Sequence, residues 1–214
     1  MREVLQAVRR APELRQDLDG LRPSQIMERI GYPGVHPEGR FFPDTYRLAR
    51  GASASSLLRE AALAMERRLA LAWEQRAPDA QVRNPEQALI LASIIEKETG
   101  VDADRAMVGG VFNNRLRIGM RLQTDPTVIY GLGERFDGNL RKADLLADTP
   151  YNSYTRAGLP PTPIAMPGWA SLLAAVQPAK TSALYFVARG DGSSHFSASL
   201  SEHNAAVQRY QLNR

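Results

Sequence analysis

The sequence predicts an α+β fold, helix-rich with a small, mainly antiparallel sheet. Several stretches repeat their apolar residues at helical spacing between start and stop signals. Near the C-terminus two short runs alternate around Gly190-Asp191-Gly192, a hairpin signal. The chain has 214 residues and no Cys, enough to bury a core without disulfides.

In chain order, Val4, Leu5 and Val8 share one helical face, and a short helix begins near Ser24, which can cap it. Gly31, Pro33, Gly34 and Pro37 then break the chain and mark a subdomain boundary, dividing 1–37 from 38–214. Residues 39–46 read as an extended aromatic segment, with Phe41, Phe42 and Tyr46 suited to a core. Leu58, Ala62, Met65, Leu69 and Trp73 define a long helix over 56–77. Asn84 as cap, Pro85 in the first turn and Gln87 closing a capping box open the next, over 85–99, with Gly100 as its stop. A helix over 103–118 ends at Gly119. The breakers in 120–165 predict mostly ordered loop. A helix over 168–177 stops before Pro178, strands follow at 184–189 and 194–198, and the Ser199–Glu202 capping box opens a terminal helix over 199–212.

Composition narrows the function classes. A net charge of +4 is spread along the chain and is weak support for an acidic partner. No run of about 18 apolar residues could span a bilayer. Nucleotide motifs are missing, with no Gly-rich phosphate loop followed by Lys-Ser/Thr. His36, His195 and His203 lack ligand spacing, so neither a metal nor any other cofactor is expected. Basic residues are not interleaved with aromatics, which argues against nucleic acid. Nothing at the start resembles a signal peptide, and the opening reads as mid-domain, predicting a longer natural N-terminus.

The helix over 85–99 carries the chemistry. At about 100° per residue, Glu86, Ser93 and Lys97 fall on one line, while Glu98 extends the face of Leu91, Ile94 and Ile95. Glu96 falls elsewhere, beside Leu89 and Ala92. A carboxyl that continues a buried stripe at a helix C-terminus is pushed toward its protonated form, as a general acid requires. Ordinary helix ends also carry Glu, so the residues alone leave open whether Glu98 is an acid or a surface group. Asn113, Asn114, Arg115, Gln123, Thr124, Asp125, Thr127 and Tyr130, then Tyr151-Asn152-Ser153-Tyr154-Thr155, supply the amides, hydroxyls and aromatic faces that a sugar chain needs. Each has a structural alternative: core packing for the tyrosines, a turn for Asn152, a helix cap for Asp125-Pro126.

Four segments, Glu38-Gly39-Arg40-Phe41-Phe42-Pro43-Asp44-Thr45-Tyr46, Ala92 to Thr99, Val111-Phe112-Asn113-Asn114-Arg115-Leu116 and Met120 to Gly131, closely resemble the signatures of the endolytic murein transglycosylases, the YceG-like proteins. Tyr151-Asn152-Ser153-Tyr154, Gly158 to Ile164 and Ala179-Lys180-Thr181 before Leu184 continue the resemblance, which spans about 38–212. Residues 1–37 resemble, more loosely, the end of a LysM-like lead-in. Thr162 departs from the pattern, standing where Gly is common after the Pro pair.

The resemblance implies an enzyme that cuts nascent peptidoglycan glycan strands internally between N-acetylmuramic acid and N-acetylglucosamine. It would leave 1,6-anhydro ends and limit strand length, a lytic transglycosylase of the carbon–oxygen lyase class. The second Glu of Glu-Lys-Glu-Thr, Glu98, is implied to be catalytic, and Asn113, Arg115, Gln123, Asp125, Thr127, Tyr130, Tyr151, Asn152 and Tyr154 are expected, from their own chemistry, to bind substrate. The resemblance also implies an inner-membrane anchor outside this chain, a periplasmic body and peptidoglycan synthases as possible partners. A non-catalytic glycan-binding or divisome scaffold module is the alternative class.

Overall fold

A computed structural model describes residues 1–212 and is α+β, built of helices with one two-stranded antiparallel sheet. The last two residues of the 38–214 segment lie outside the described residues. Among the described residues no helix is long and apolar enough to cross a membrane.

Helices α1 (Arg2–Arg9) and α2 (Pro23–Arg29) form the lead-in. Helix α2 starts one residue before Ser24, with Arg22 rather than Ser24 at its cap position. Val8, Ile26, Met27 and Ile30 bury against Phe41 and against Leu58, Ala61 and Ala62 of α3 (Ala54–Glu74). Residues 1–37 therefore share one apolar cluster with the start of the following segment. Residues 39–46 form no strand. Phe41 joins this cluster and its neighbour Phe42 joins the main one.

The main core is organised around α4 (Pro85–Glu98). Asn84 accepts a hydrogen bond from the Gln87 backbone at 2.9 Å, the cap expected from sequence. Every residue from Ala88 to Ile95 is buried. A helix apolar on all sides has no amphipathic face to float on, so it must sit inside the protein. Leu89, Ile90, Leu91, Ile94 and Ile95 each contribute about 1.5–3 kcal/mol of burial before entropy is counted. Ser93 lies on the line of polar residues yet is fully buried. Its hydroxyl donates to the Ile90 carbonyl at 2.7 Å and accepts from the Ile164 N–H at 2.9 Å, tying the proline-rich loop to α4. Ser93→Ala orphans the Ile164 N–H and is expected to cost about 1–3 kcal/mol in denaturant unfolding.

Helix α4 ends without a left-handed glycine. Thr99 turns extended, at φ −142° and ψ 132°, and its hydroxyl accepts from the Val101 N–H at 3.0 Å. Gly100 is thus not the stop that the sequence suggests. Helix α5 (Asp102–Arg117) does end on a left-handed glycine, Gly119 at φ +69°.

The 120–165 region holds more helix than expected: α6 (Asp125–Leu132), a 3₁₀ turn at Gly133–Arg135 and α7 (Lys142–Leu146). Gly131 reads as a breaker, but it sits within α6 where Tyr151 packs closely, 3.0 Å from where a Cβ would lie. Tertiary contact overrides propensity there. Helix α8 (Trp169–Val176) then packs on α4 and α5. Strands β1 (Tyr185–Ala188) and β2 (Ser194–Ser197) pair antiparallel with Phe186 opposite Phe196. Ser199 and Glu202 form the expected capping box of α9 (Leu200–Val207), which runs into a π-helical turn at Gln208–Leu212.

Candidate active site

Glu98 is the last residue of α4, half-buried where the helix leaves the core. The Thr124 hydroxyl donates a hydrogen bond to its Oε1. Thr124 occupies the N-cap position of α6 but does not cap it, because its hydroxyl is committed to Glu98. Ser153 fixes Thr124 in turn: its hydroxyl accepts from the Thr124 N–H at 3.0 Å and meets the Thr127 hydroxyl at 2.8 Å. Gln123 N–H donates to the Ser153 carbonyl at 3.1 Å. A rigid, buried ladder of short polar side chains therefore holds the partner of Glu98.

Burial pushes the Glu98 carboxyl above the ordinary value of 4.5, and the negative charge of Asp125 adds to this. The Thr124 hydrogen bond and the Arg115 charge act in the opposite direction, and burial wins. Asp125 accepts from the Tyr154 hydroxyl at 2.5 Å. Burial, with this bond next, raises the Tyr154 hydroxyl above its ordinary 10.0. Arg115 is buried, its Nε donating to the Leu184 carbonyl at 2.7 Å and its Nη1 to that of Leu122 at 2.6 Å. Its guanidinium carbon lies 5.3 Å from the centre of the Tyr185 ring, which stacks on His203.

Of the residues singled out from sequence, Glu98, Arg115, Asp125 and Tyr154 come together, with exposed Gln123 beside Thr124. Arg115 spends its donors on backbone carbonyls, so it braces the site instead of reaching out to a ligand. Thr127 is likewise fully buried, its hydroxyl shared between Ser153 and the Thr124 carbonyl. Asn152 is also internal. Its amide donates to the carbonyls of Asp144, Leu145 and Ala147, and its oxygen accepts from the Tyr154 N–H. Asn113 is not at this site: it bonds the Gln81 N–H and the carbonyls of Gly109 and Ala175. With Asn114, it lines a polar recess of about 170 Å³ whose walls do not include Glu98. Tyr130 and Tyr151 pack together with ring centres 5.0 Å apart, and the Tyr151 hydroxyl meets that of Thr162 at 2.8 Å. Both hydroxyls meet Thr162 of the proline loop.

Glu96 does point elsewhere. Its Oε2 accepts from the Gly168 N–H at 3.0 Å and the Ser171 hydroxyl at 2.6 Å, and lies 3.5 Å from Arg105. It caps the start of α8, where a carboxylate suits the helix dipole. Glu96→Gln leaves the mostly buried Arg105 with only the exposed Asp102 as a charged partner. It is expected to lower unfolding stability by about 1–3 kcal/mol.

Tyr185 and His203 are missing from the sequence-derived site, and Thr124 stands in it only as one polar residue of the cluster, without its bond to Glu98. A Thr before Asp-Pro signals a helix cap, and nothing local indicates that its hydroxyl leaves its own helix. Tyr185 and His203 arrive from the C-terminal hairpin and helix, far along the chain. Among the described residues no group of three or more His, Asp or Glu side chains could hold a metal ion.

The YceG-like family model matches residues 1–209, including the lead-in. The chain belongs to the YceG-like family. This YceG-like chain is 48% identical over 122 residues to the endolytic murein transglycosylase of Bacillus subtilis, covering 57% of this chain and 34% of that protein. It is 33% identical over 156 residues to the endolytic murein transglycosylase of Streptococcus pneumoniae R6, covering 71% of this chain and 28% of that one. It thus spans about a third of the length of these curated relatives. A crystal structure of a putative yceG-like protein from Listeria monocytogenes matches with a TM-score of 0.69 at 36% identity, covering 94% of this chain and 62% of the other.

Proposed function

We propose that this chain is the catalytic part of an endolytic lytic transglycosylase, acting on the bond between N-acetylmuramic acid and N-acetylglucosamine in peptidoglycan strands. The observation that carries the proposal is a desolvated carboxyl, Glu98, held by the Thr124 hydroxyl at the open end of α4. The names of the relatives supply the substrate class.

Protonated Glu98 donates its proton to the glycosidic oxygen as the C1–O bond breaks. The resulting carboxylate then takes the proton from the muramyl 6-hydroxyl, whose oxygen forms the new bond to C1. The product carries a 1,6-anhydro ring, no water is consumed, and Glu98 ends protonated as it began. One titrating group serves both steps. Hydrolytic glycosidases instead place two carboxyls about 5–9.5 Å apart, one of them serving as nucleophile or water-activating base. Here Asp125 is held by Tyr154 and Glu96 by α8. No cofactor is required by this chemistry, and shortening of nascent strands beside the peptidoglycan synthases is its proposed consequence.

The deciding experiment is mass spectrometry of fragments released from uncross-linked glycan strands. Anhydro-ended products are expected. Reducing ends would indicate hydrolysis, and binding without release would indicate a glycan-binding module.

The pH dependence follows from the same geometry. The acid must start protonated, so activity falls as pH rises through the Glu98 pKa. Thr124→Val removes a donor that favours the carboxylate and raises that pKa further. The alkaline limb of kcat/KM is expected to move up by about one to two pH units, since a hydrogen bond to a charged group is worth ~1.5–3 kcal/mol.

A further inference from the structure

We propose that Gln123 is a substrate-holding residue, its side-chain amide hydrogen-bonding a neutral hydroxyl or acetamido group of the sugar that lies against Glu98. This deepens the glycan-cleaving function proposed above and rests on it for the identity of the ligand.

Among the described residues, Gln123 is the one non-glycine with φ in the left-handed region, at +47°. A Cβ is crowded there, whereas glycine adopts the region freely. The turn itself needs no side chain, and nothing inside the protein uses the one present. The Gln123 side chain is exposed, and its amide has no hydrogen-bond partner among the described residues. Its neighbours are fixed on both sides. Leu122 is fully buried and its carbonyl receives Arg115, while Thr124 is buried and its hydroxyl holds Glu98. The backbone N–H is anchored on Ser153. A strained residue so tightly framed presents its side chain from a fixed point. That point is one peptide unit, about 3.8 Å between Cα atoms, from the residue that touches the acid.

The chemistry of the group fits the ligand. An amide offers two donors and an acceptor without charge, as neutral sugar hydroxyl and acetamido groups require. It does not titrate, so it serves equally in both protonation states of Glu98.

The test compares thermal midpoints and glycan binding for Gln123→Gly and Gln123→Asn. Binding is measured with purified uncross-linked glycan strands in a Glu98→Gln background, which prevents turnover. Gln123→Gly relieves backbone crowding and is expected to melt about 2–4 °C higher, while binding at least ~10-fold more weakly. Asn tolerates the left-handed backbone and keeps an amide on a shorter stem, so it should fall between the two. Unchanged binding in Gln123→Gly overturns the proposal, and so does a lower melting point, which would make Gln123 a structural residue. The two proposals fail separately. If the wild type releases no anhydro ends but Gln123→Gly still weakens binding, the enzymatic function falls and the Gln123 contact stands. If anhydro ends form and binding is indifferent to Gln123, the reverse holds.

Discussion

Glu98→Gln is expected to reduce release of glycan fragments by ~10²–10⁴-fold, the usual worth of a positioned proton-transfer group. Gln keeps the size of the side chain and an oxygen to accept from Thr124, but it cannot give and retake a proton. The fold should not suffer. Burial raises the Glu98 pKa in the folded state above its ordinary 4.5, so the folded chain retains a proton that the unfolded chain has already released. Stability is therefore lost as pH rises from about 4.5 through the folded-state pKa, and the loss persists above it. A neutral amide removes that penalty. The variant should melt at or above the wild type near neutral pH, with the gap closing toward pH 4. Fragment release and melting curves measured together check both parts. Glu96→Gln is the comparison, expected to lose stability while most cleavage survives. Equal loss of cleavage in both variants would show that the wrong glutamate has been assigned.

Gly109→Ala is expected to be strongly destabilising, against the ordinary helix preference. In an exposed helix, Ala is favoured over Gly by about 1 kcal/mol. Gly109 lies where α5 meets α8, and a Cβ there would sit 2.3 Å from the Ala174 carbonyl oxygen. That oxygen is backbone and cannot swing aside, so the two helices must separate. Overpacking of this kind costs about 1–3 kcal/mol or more, enough to reverse the propensity gain. A net loss of about 2 kcal/mol lowers the melting point of a chain of this size by roughly 4–8 °C. Gly100→Ala is the control, because a Cβ there meets nothing within 4 Å. A Gly109→Ala protein as stable as the control would mean that α5 and α8 are not in backbone contact.

Much of this was legible in the sequence because the signals are local. The apolar run Ala88–Ile95 can only be a buried helix, and Asn84, Pro85 and Gln87 fix where it starts. The position of Glu98 follows from helical periodicity, which places it on the large-apolar face and Glu96 off it. The hairpin and the Ser199 cap are equally local. Helix α6 was obscured because Gly131 breaks its pattern, and only Tyr151 packing over that glycine reveals why it is tolerated.

Helices α3, α4, α5, α8 and α9, the hairpin and the direction of Glu98 are readable in the chain alone, since periodicity and caps act over a few residues, while α6 and α7 are not. What each polar side chain does depends on how the elements pack together. Asn113, Thr127 and Asn152 have the chemistry of sugar ligands, yet each is consumed by backbone or side-chain partners inside the protein. Buried polar groups must be satisfied; Asn152 finds its partners within its own turn, at Asp144, Leu145, Ala147 and Tyr154, whereas those of Asn113 and Thr127 include groups tens of residues away. The same holds for Thr124, whose hydroxyl leaves its own helix for Glu98, 26 positions away. No local pattern encodes that choice, because it is made only when α4 and α6 are packed together.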